Sequence, residues 1–597
     1  MWLLNAETLQ LRWVTDLSSV QYAILSHTWD GDRELSFQDI QDVATARHKP
    51  GFAKIAGTCE KARFLGLPYV WIDTCCIDKT SSAELSEAIN SMWGYYSGAR
   101  ICLVYLSDFE PVPHEAATAQ GVSSAVSRQL PWCQWFTRGW TLQELIAPRT
   151  LCFFDRAWNF IHNRIDLADL LFRITGIDSD ILTHKSSIHS IPVGRRMSWA
   201  VGRRTTRIED RAYSLLGIFN INMPLLYGEG HKAFFRLQQH IASHYNDLSL
   251  FAWQSGPRYE DHGGGALLFS GLFAPTPDQF WSCNTLKRHW DYFSSAVEFG
   301  ITNAGLRIDG SCLCKDTSSN PNDIHYLLPL DCLVDGPKPH WVAVRLRKVG
   351  DTYVRYLPGS LAAAQARTSW VSARDQTNHS FHQPPPEGPG SVYIHTLMRP
   401  EESARVKSVI ESGIVLVYDE YLTQNMSQYR FLFHTQRSRE VPDRVLLGPG
   451  RSFFDIASNA EDNFLCAHTV GSAPDDYVVV CKLQWEGNKC NPRVAVFKGS
   501  QLLDLVSETQ NQRINIESPT LLRLIKDLFL MKCSDTSGYL DQAKMPTTVR
   551  CKVGPHLGIV CVNSIKEKDL QTHGMQSVWR SGYHVIRVSW VGEQDDK

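Results

Sequence analysis

Short apolar runs and longer stretches of helical period take turns along the N-terminal region of the chain. Leu9, Leu11 and Trp13 alternate with Gln10 and Arg12, and with Trp2-Leu3-Leu4 ahead of a polar turn they predict a small hairpin over residues 1–14. Tyr22-Ala23-Ile24-Leu25, Tyr69-Val70-Trp71-Ile72, Ile101 to Leu106 and Leu151-Cys152-Phe153-Phe154 are continuous apolar runs of strand length, which predict buried strands. Between them, Phe52, Ile55, Ala56, Cys59 and Ala62 keep near-helical spacing across 52–65. Leu85, Ala88, Ile89, Met92, Trp93 and Tyr96 form one face of an amphipathic helix over 82–97, with Ser81 or Ser82 to cap it and Glu84 in its first turn. A short helix with Trp140 and Glu144 precedes the fourth run. This alternation predicts a parallel sheet covered on both faces. Ligands of open parallel sheets bind at the carboxyl ends of the strands. Polar residues gather there: Ser26 and His27 after the first run, Asp73 and Asp78 after the second.

The pattern changes twice more. Residues 160–250 read as mostly helical, and their distinctive blocks are Thr206 to Phe219 and Asn222 to Gly230. From about residue 260 the runs become short, β-rich and punctuated by Gly, Pro, Asn and Asp, as in Trp341 to Leu346, Val415 to Tyr418, Tyr477 to Leu483 and Val585 to Trp590. These predict one or two antiparallel β domains. The expected organisation is an α/β domain over 1–160, a helical part over 161–255 and a β-rich half over 256–597, with a break near 383–390 where Pro384-Pro385-Pro386 falls. Residues 110–130 form a long insertion, a lid or a disordered loop. No repeat of fixed period is present.

Composition narrows the function. A chain of 597 residues is too long for one core. Its 60 basic and 62 acidic side chains leave a net charge of -2, which offers no electrostatic case for nucleic acid or an anionic membrane. No run of 18 apolar residues occurs and the N-terminus is unlike a signal peptide, so no membrane span and a cytoplasmic location are expected. The 16 cysteines contain no CxxC pair, so reduced thiols and no metal site are expected. The 18 tryptophans favour buried aromatic clusters and ligand walls.

The residue with the strongest chemical promise is Glu144. Trp140 and Glu144 stand at i and i+4 on one helical face, and a carboxyl beside an indole is partly desolvated and primed for chemistry. The plainer alternative is a first-turn glutamate favoured by the helix dipole, with Trp140 in the core. His27 reads either as a ligand contact or as a structural histidine, and Asp73 as a site residue or a loop cap. Cys75 and Cys76 read as packing residues, Asp78-Lys79 as a solvated turn, and Glu209-Asp210-Arg211 as a structural ion-pair cluster. No GxGxxG or P-loop motif opens a helix, so the standard nucleotide modes are not indicated.

Taken together, three blocks resemble the fungal heterokaryon-incompatibility (HET) domain family. They are Tyr22 to Trp29, then Tyr69 to Lys79 running into Ser86 to Met92, and Phe136 to Leu145. Asp210-Arg211-Ala212-Tyr213 and Met223 to Gly230 look like the segment that follows this domain in many members. The resemblance covers about residues 20–255. The family is distantly similar to TIR domains, which implies a flavodoxin/TIR-like parallel sheet. Many TIR enzymes cleave the nicotinamide–ribose bond of NAD with one helical glutamate, which resembles Glu144. Thr141 departs from that pattern, since many TIR enzymes have cysteine there.

Such a cleavage passes through an oxocarbenium-like centre that a carboxylate stabilises. Trp29 or Trp140 would wall the pyridinium ring, while the Ser26-to-Gly31 loop and Arg138 would meet phosphates. Ser26, His27, Trp29, Asp73, Arg138 and Trp140 are thus the expected binding residues around catalytic Glu144. NAD enters as a substrate, and no cofactor is required. Three readings stay open: an incompatibility and cell-death factor acting on NAD or a related nucleotide, a small-molecule enzyme of fungal secondary metabolism on the same scaffold, and a non-enzymatic signalling module. Self-association is expected in the first and last.

Overall fold

A computed structural model of the chain describes residues 1–112, 122–256, 268–288, 298–315, 326–336, 338–349, 352–364, 390–399, 401–403 and 406, and beyond these the backbone of individual strands between 413 and 592. The expected break at 383–390 and residues 113–121 of the insertion lie outside the described residues.

The N-terminal region is built on one seven-stranded sheet: β1 (Trp2–Asn5), β2 (Leu11–Trp13), β3 (Tyr22–His27), β4 (Tyr69–Trp71), β5 (Ile101–Tyr105), β6 (Leu151–Phe154) and β7 (Phe160–Asn163). Their spatial order is β2-β1-β4-β3-β5-β6-β7. The four central strands run parallel, with Ile24 level with Trp71 on one side and Cys102 on the other. The hairpin β1–β2 and strand β7 add antiparallel edges, so the sheet is mixed rather than purely parallel. All six residues of β3 are buried, as expected of a central strand covered on both faces. The second hairpin arm is shorter than the alternation suggested. Asn5 Oδ1 accepts from the backbone N–H groups of Glu7 and Thr8, and Leu9 sits in the turn at φ 59°, so pairing begins only at Leu11.

The covering helices are α1 (Val43–Ala46), α2 (Phe52–Phe64), α3 (Ser82–Gly98), α4 (Ser124–Gln129) and α5 (Thr141–Ile146). Helix α2 packs on β3 and β4. Helix α3 is capped by Ser81, whose hydroxyl accepts from Glu84 N–H at 3.3 Å, and it buries Ala88, Ile89, Met92, Tyr95 and Tyr96. Helix α5 is only six residues long and buried at every position, wedged against β3 and α3.

Residues 160–250 depart from the helical expectation at their start, where β7 joins the sheet. Phe160 stacks edge-on against Phe154 (6.0 Å between ring centres), a cross-strand pair that periodicity alone does not show. Six helices follow: α6 (Ala168–Thr175), α7 (Ser179–Leu182), α8 (Val193–Ser198), α9 (Asp210–Tyr213), α10 (Leu216–Phe219) and α11 (Lys232–His244). A ten-stranded sheet then follows between Phe269 and Ile394. The buried core runs without a break from the first sheet into it, and Arg355 ties the join by donating to the carbonyls of Phe251 (2.9 Å) and Trp253.

The runs at 341–346, 415–418, 477–483 and 585–590 all lie in strands, within His340–Val349, Gly413–Tyr418, Tyr477–Glu486 and Tyr583–Gly592. The sheets are not wholly antiparallel, however. Gly413–Tyr418 pairs parallel with Tyr583–Gly592, and Thr352–Tyr356 pairs parallel with Ser391–Ile394. Partners far apart in the chain set that direction, and a local pattern cannot carry it. No helix among the described residues is long and apolar enough to cross a membrane, and Cys59, Cys75, Cys76, Cys102, Cys133, Cys152, Cys283 and Cys332 are free thiols.

Candidate functional site

The carboxyl ends of β3 and β4 and the helix α5 converge on two carboxyl groups. Glu144 forms the floor. It is 4% exposed, and its carboxyl accepts a short hydrogen bond from the Ser26 hydroxyl at the end of β3. Ser26 in turn accepts from the indole N–H of Trp135 at 2.8 Å. Trp135 is fully buried and braced edge-on by Phe136 and Phe153. The Tyr96 hydroxyl donates to the Leu25 carbonyl at 3.0 Å and also meets the Glu144 carboxyl. Burial is the main cause that pushes Glu144 up to about 8, with the Asp73 charge adding to it. The Ser26 bond, the Arg138 charge and Tyr96 pull the other way.

Asp73, just past β4, anchors the mouth. Its two oxygens are used separately: Oδ1 meets His27 Nε2 at 3.1 Å, and Oδ2 accepts the Trp29 indole N–H at 2.9 Å. Burial alone would raise this carboxyl, but His27, Lys79 and Trp29 together hold it below the ordinary range. His27 Nδ1 has no hydrogen-bond partner, and Glu34 Oε1 lies 3.9 Å away. Glu34 pairs with Lys54, which also donates to the Thr28 carbonyl at 2.9 Å. Trp29 remains 39% exposed, with the Lys79 ammonium 3.9 Å from its ring centre and the Arg138 guanidinium carbon at 5.8 Å. The indole therefore already carries a cation.

The fold thus brings Ser26, His27, Trp29, Asp73, Arg138 and Glu144 to one place. Trp140 is the exception in its contacts: its indole hydrogen-bonds Asp210, which also accepts from Tyr227 at 2.9 Å. The indole that reaches the Glu144 cluster is Trp135, through Ser26. Trp140 precedes the first residue of α5 and turns toward the helical extension instead. Glu209 accepts from the backbone N–H groups of Gly228 and Gly230, and Tyr213 and Arg236 bind Glu229, so these blocks tie α9 to the loop before α11. Sequence reasoning missed Trp135, Tyr96, Glu34 and Lys79. The only signals were an extra aromatic on an apolar helix face and a Lys six places after Asp73.

A family model described as "Heterokaryon incompatibility protein (HET)" matches residues 22–129, from β3 through α4. Glu144 lies beyond that range. Over 222 residues the chain is 45% identical to "Vegetative incompatibility protein HET-E-1" of Podospora anserina. The match covers 37% of this chain and spans only 16% of that relative's length.

Proposed function

From a chain that carries a heterokaryon-incompatibility domain, we propose an incompatibility-type factor whose N-terminal region cleaves the nicotinamide–ribose bond of NAD or a related nucleotide at Glu144. The observation that carries this reading is a dry, hydrogen-bonded carboxyl at the strand ends with an acidity near neutral pH. Such a group is neutral when the site is empty and gains most from a ligand that brings positive charge. A pyridinium nucleotide does so twice, first on its ring and then on the sugar carbon as the bond breaks.

The roles then follow from position. The C1′–N bond breaks and its electron pair returns to the nicotinamide nitrogen. Water adds to C1′ and loses a proton. Glu144, ionised against the cationic sugar, stabilises that centre and orients the ribose hydroxyls. Ser26 and Trp135 hold the carboxyl in place. Trp29, which now stacks with the Lys79 ammonium, offers the ring face for the pyridinium. Lys79 and Arg138 are then free to meet the phosphates. The TIR-like ancestry implied by the sequence belongs to this same proposal. The central strand order, with β3 flanked by β4 and β5, supports it, because open parallel sheets bind ligands where the strand order reverses.

The test is nicotinamide release from NAD by the wild-type chain and by Glu144→Ala, with folding checked by circular dichroism. Turnover that falls at least ~100-fold in the variant supports the reading. A concentrated wild-type protein that releases no nicotinamide rejects it.

A further inference from the structure

A buried cation reaches the Glu144 helix from outside the α/β sheet. Arg203 follows α8 in the helical extension and is 6% exposed. Its Nη1 donates to the Arg138 carbonyl at 2.9 Å and to the Thr141 hydroxyl at 3.1 Å, and its Nε donates to the Trp199 carbonyl at 3.0 Å. Thr141 passes its own proton to the Trp135 carbonyl at 2.6 Å. The adjoining backbone repeats the link: Gly139 N–H donates to the Arg204 carbonyl and Arg204 N–H to the Thr137 carbonyl, at 2.8 and 2.6 Å. A Cβ at Gly139 would stand 2.6 Å from Thr205, so only glycine permits this approach.

We propose that Arg203 is a positioning residue of the site: it clamps the first turn of α5 and, with Arg138, supplies positive charge that favours the ionised form of Glu144. Thr141 and Glu144 are one turn apart on the same face of α5, so the guanidinium bound to Thr141 sits one turn before the residue that carries the carboxyl. Among the described residues no carboxylate forms an ion pair with Arg203. Burial lowers its own acidity constant to about 10, and the Glu144 charge works against that fall. The other groups that face Glu144 are Ser26 on β3, Asp73 after β4, Cys102 on β5, Tyr96 on α3 and Arg138 before α5. Of these only Arg138 is cationic, and it also serves the mouth. A cation at the start of α5 opposes the helix dipole, so its place there is better explained by the carboxyl than by the helix.

The importance of this clamp for turnover rests on the proposed reaction, but its effect on Glu144 does not. The infrared carboxylic-acid band of Glu144, identified by its loss in E144Q, is titrated in the full chain without substrate. In the wild type it is expected to vanish as pH rises through about 8. In R203M the midpoint is expected to rise by about one pH unit or more, while R203K, which keeps the charge, restores most of the shift. A midpoint unchanged in R203M reduces Arg203 to packing and overturns the proposal. Should R203M not fold, R203Q decides: it keeps a donor for the Thr141 hydroxyl and loses the charge, so a raised midpoint is expected and an unmoved one overturns the proposal. A chain that fails to release nicotinamide yet shows these shifts would reject the reaction and keep the clamp.

Discussion

The floor and the mouth of the site hold one carboxyl each, and the two are driven in opposite directions. Glu144 is sealed among Ser26, Trp135 and Tyr96, so burial outweighs the Arg138 charge and the proton stays on. Asp73 is only half-buried and faces His27, Lys79 and an indole N–H, so its charged form is favoured. Each also feels the other, since the Asp73 charge is one reason Glu144 resists ionising. A pair of acids pushed apart in this way is a recognised means of giving one fold an acid and a base at the same pH. The difference arises from the neighbours, since the two side chains differ by one methylene.

The largest expected effect comes from separating Glu144 from its proton. Its folded-state acidity constant, about 8, is above the ordinary 4.5, so the stability it contributes is fully present below pH 4.5 and is lost as pH rises through 8. Unfolding in urea should therefore show wild type weakening relative to E144Q by about 1.4 kcal/mol per pH unit inside that window. Parallel curves for the two proteins would remove the floor–mouth contrast altogether.

Ser26→Ala strips the floor of the hydroxyl that bridges Trp135 and Glu144. It leaves the Trp135 N–H and the carboxyl each short of a partner, at an expected cost of ~1–3 kcal/mol in urea unfolding. The infrared midpoint of Glu144 should rise too, because the Ser26 bond favours the ionised form. Asp73→Asn acts on the mouth and should move the same midpoint down by up to about one pH unit, by removing a like charge. It should also abolish an acid limb. The wild-type Asp73 contribution is present above the ordinary value of 3.8 and is lost as pH falls through the depressed folded value. A Glu144 midpoint that does not respond to Asp73→Asn would show that the two regions are electrically independent. The smallest effect is expected from Trp29→Ala. An exposed ring under one ammonium should be worth ~0.5–1 kcal/mol of stability, so the variant should unfold almost as wild type does while losing affinity for a pyridinium nucleotide in a binding titration.

The strands of the central sheet, the Ser81-capped helix and the polar strand ends were legible because they depend on near neighbours in sequence. Buried runs such as Tyr22 to Leu25 mark strands covered on both faces, and Ser81 with Glu84 marks a helix start. Ser26 and Asp73 stood out for the same reason, as polar residues next to apolar runs, and Glu144 through its helical spacing from Trp140. The strand Phe160–Asn163 was not legible, because its pairing with Leu151–Phe154 is what stabilises it. The parallel pairing of Gly413–Tyr418 with Tyr583–Gly592 joins residues far apart in the chain and leaves no local trace.

The sequence by itself determined which segments are strands and helices, that their alternation builds a parallel-cored sheet, and that one glutamate ends up beside the strand ends. Only the tertiary structure decided which indole serves that glutamate. Trp140, at i and i+4, turns to Asp210, and Trp135, nine residues before Glu144, reaches it through Ser26. It also decided that Arg203, from a region that reads only as mostly helical, reaches the first turn of α5. The physical reason is common to both. Helical spacing sets which residues share a face, but the partner on that face and the acidity it confers depend on burial and on charges supplied by other segments.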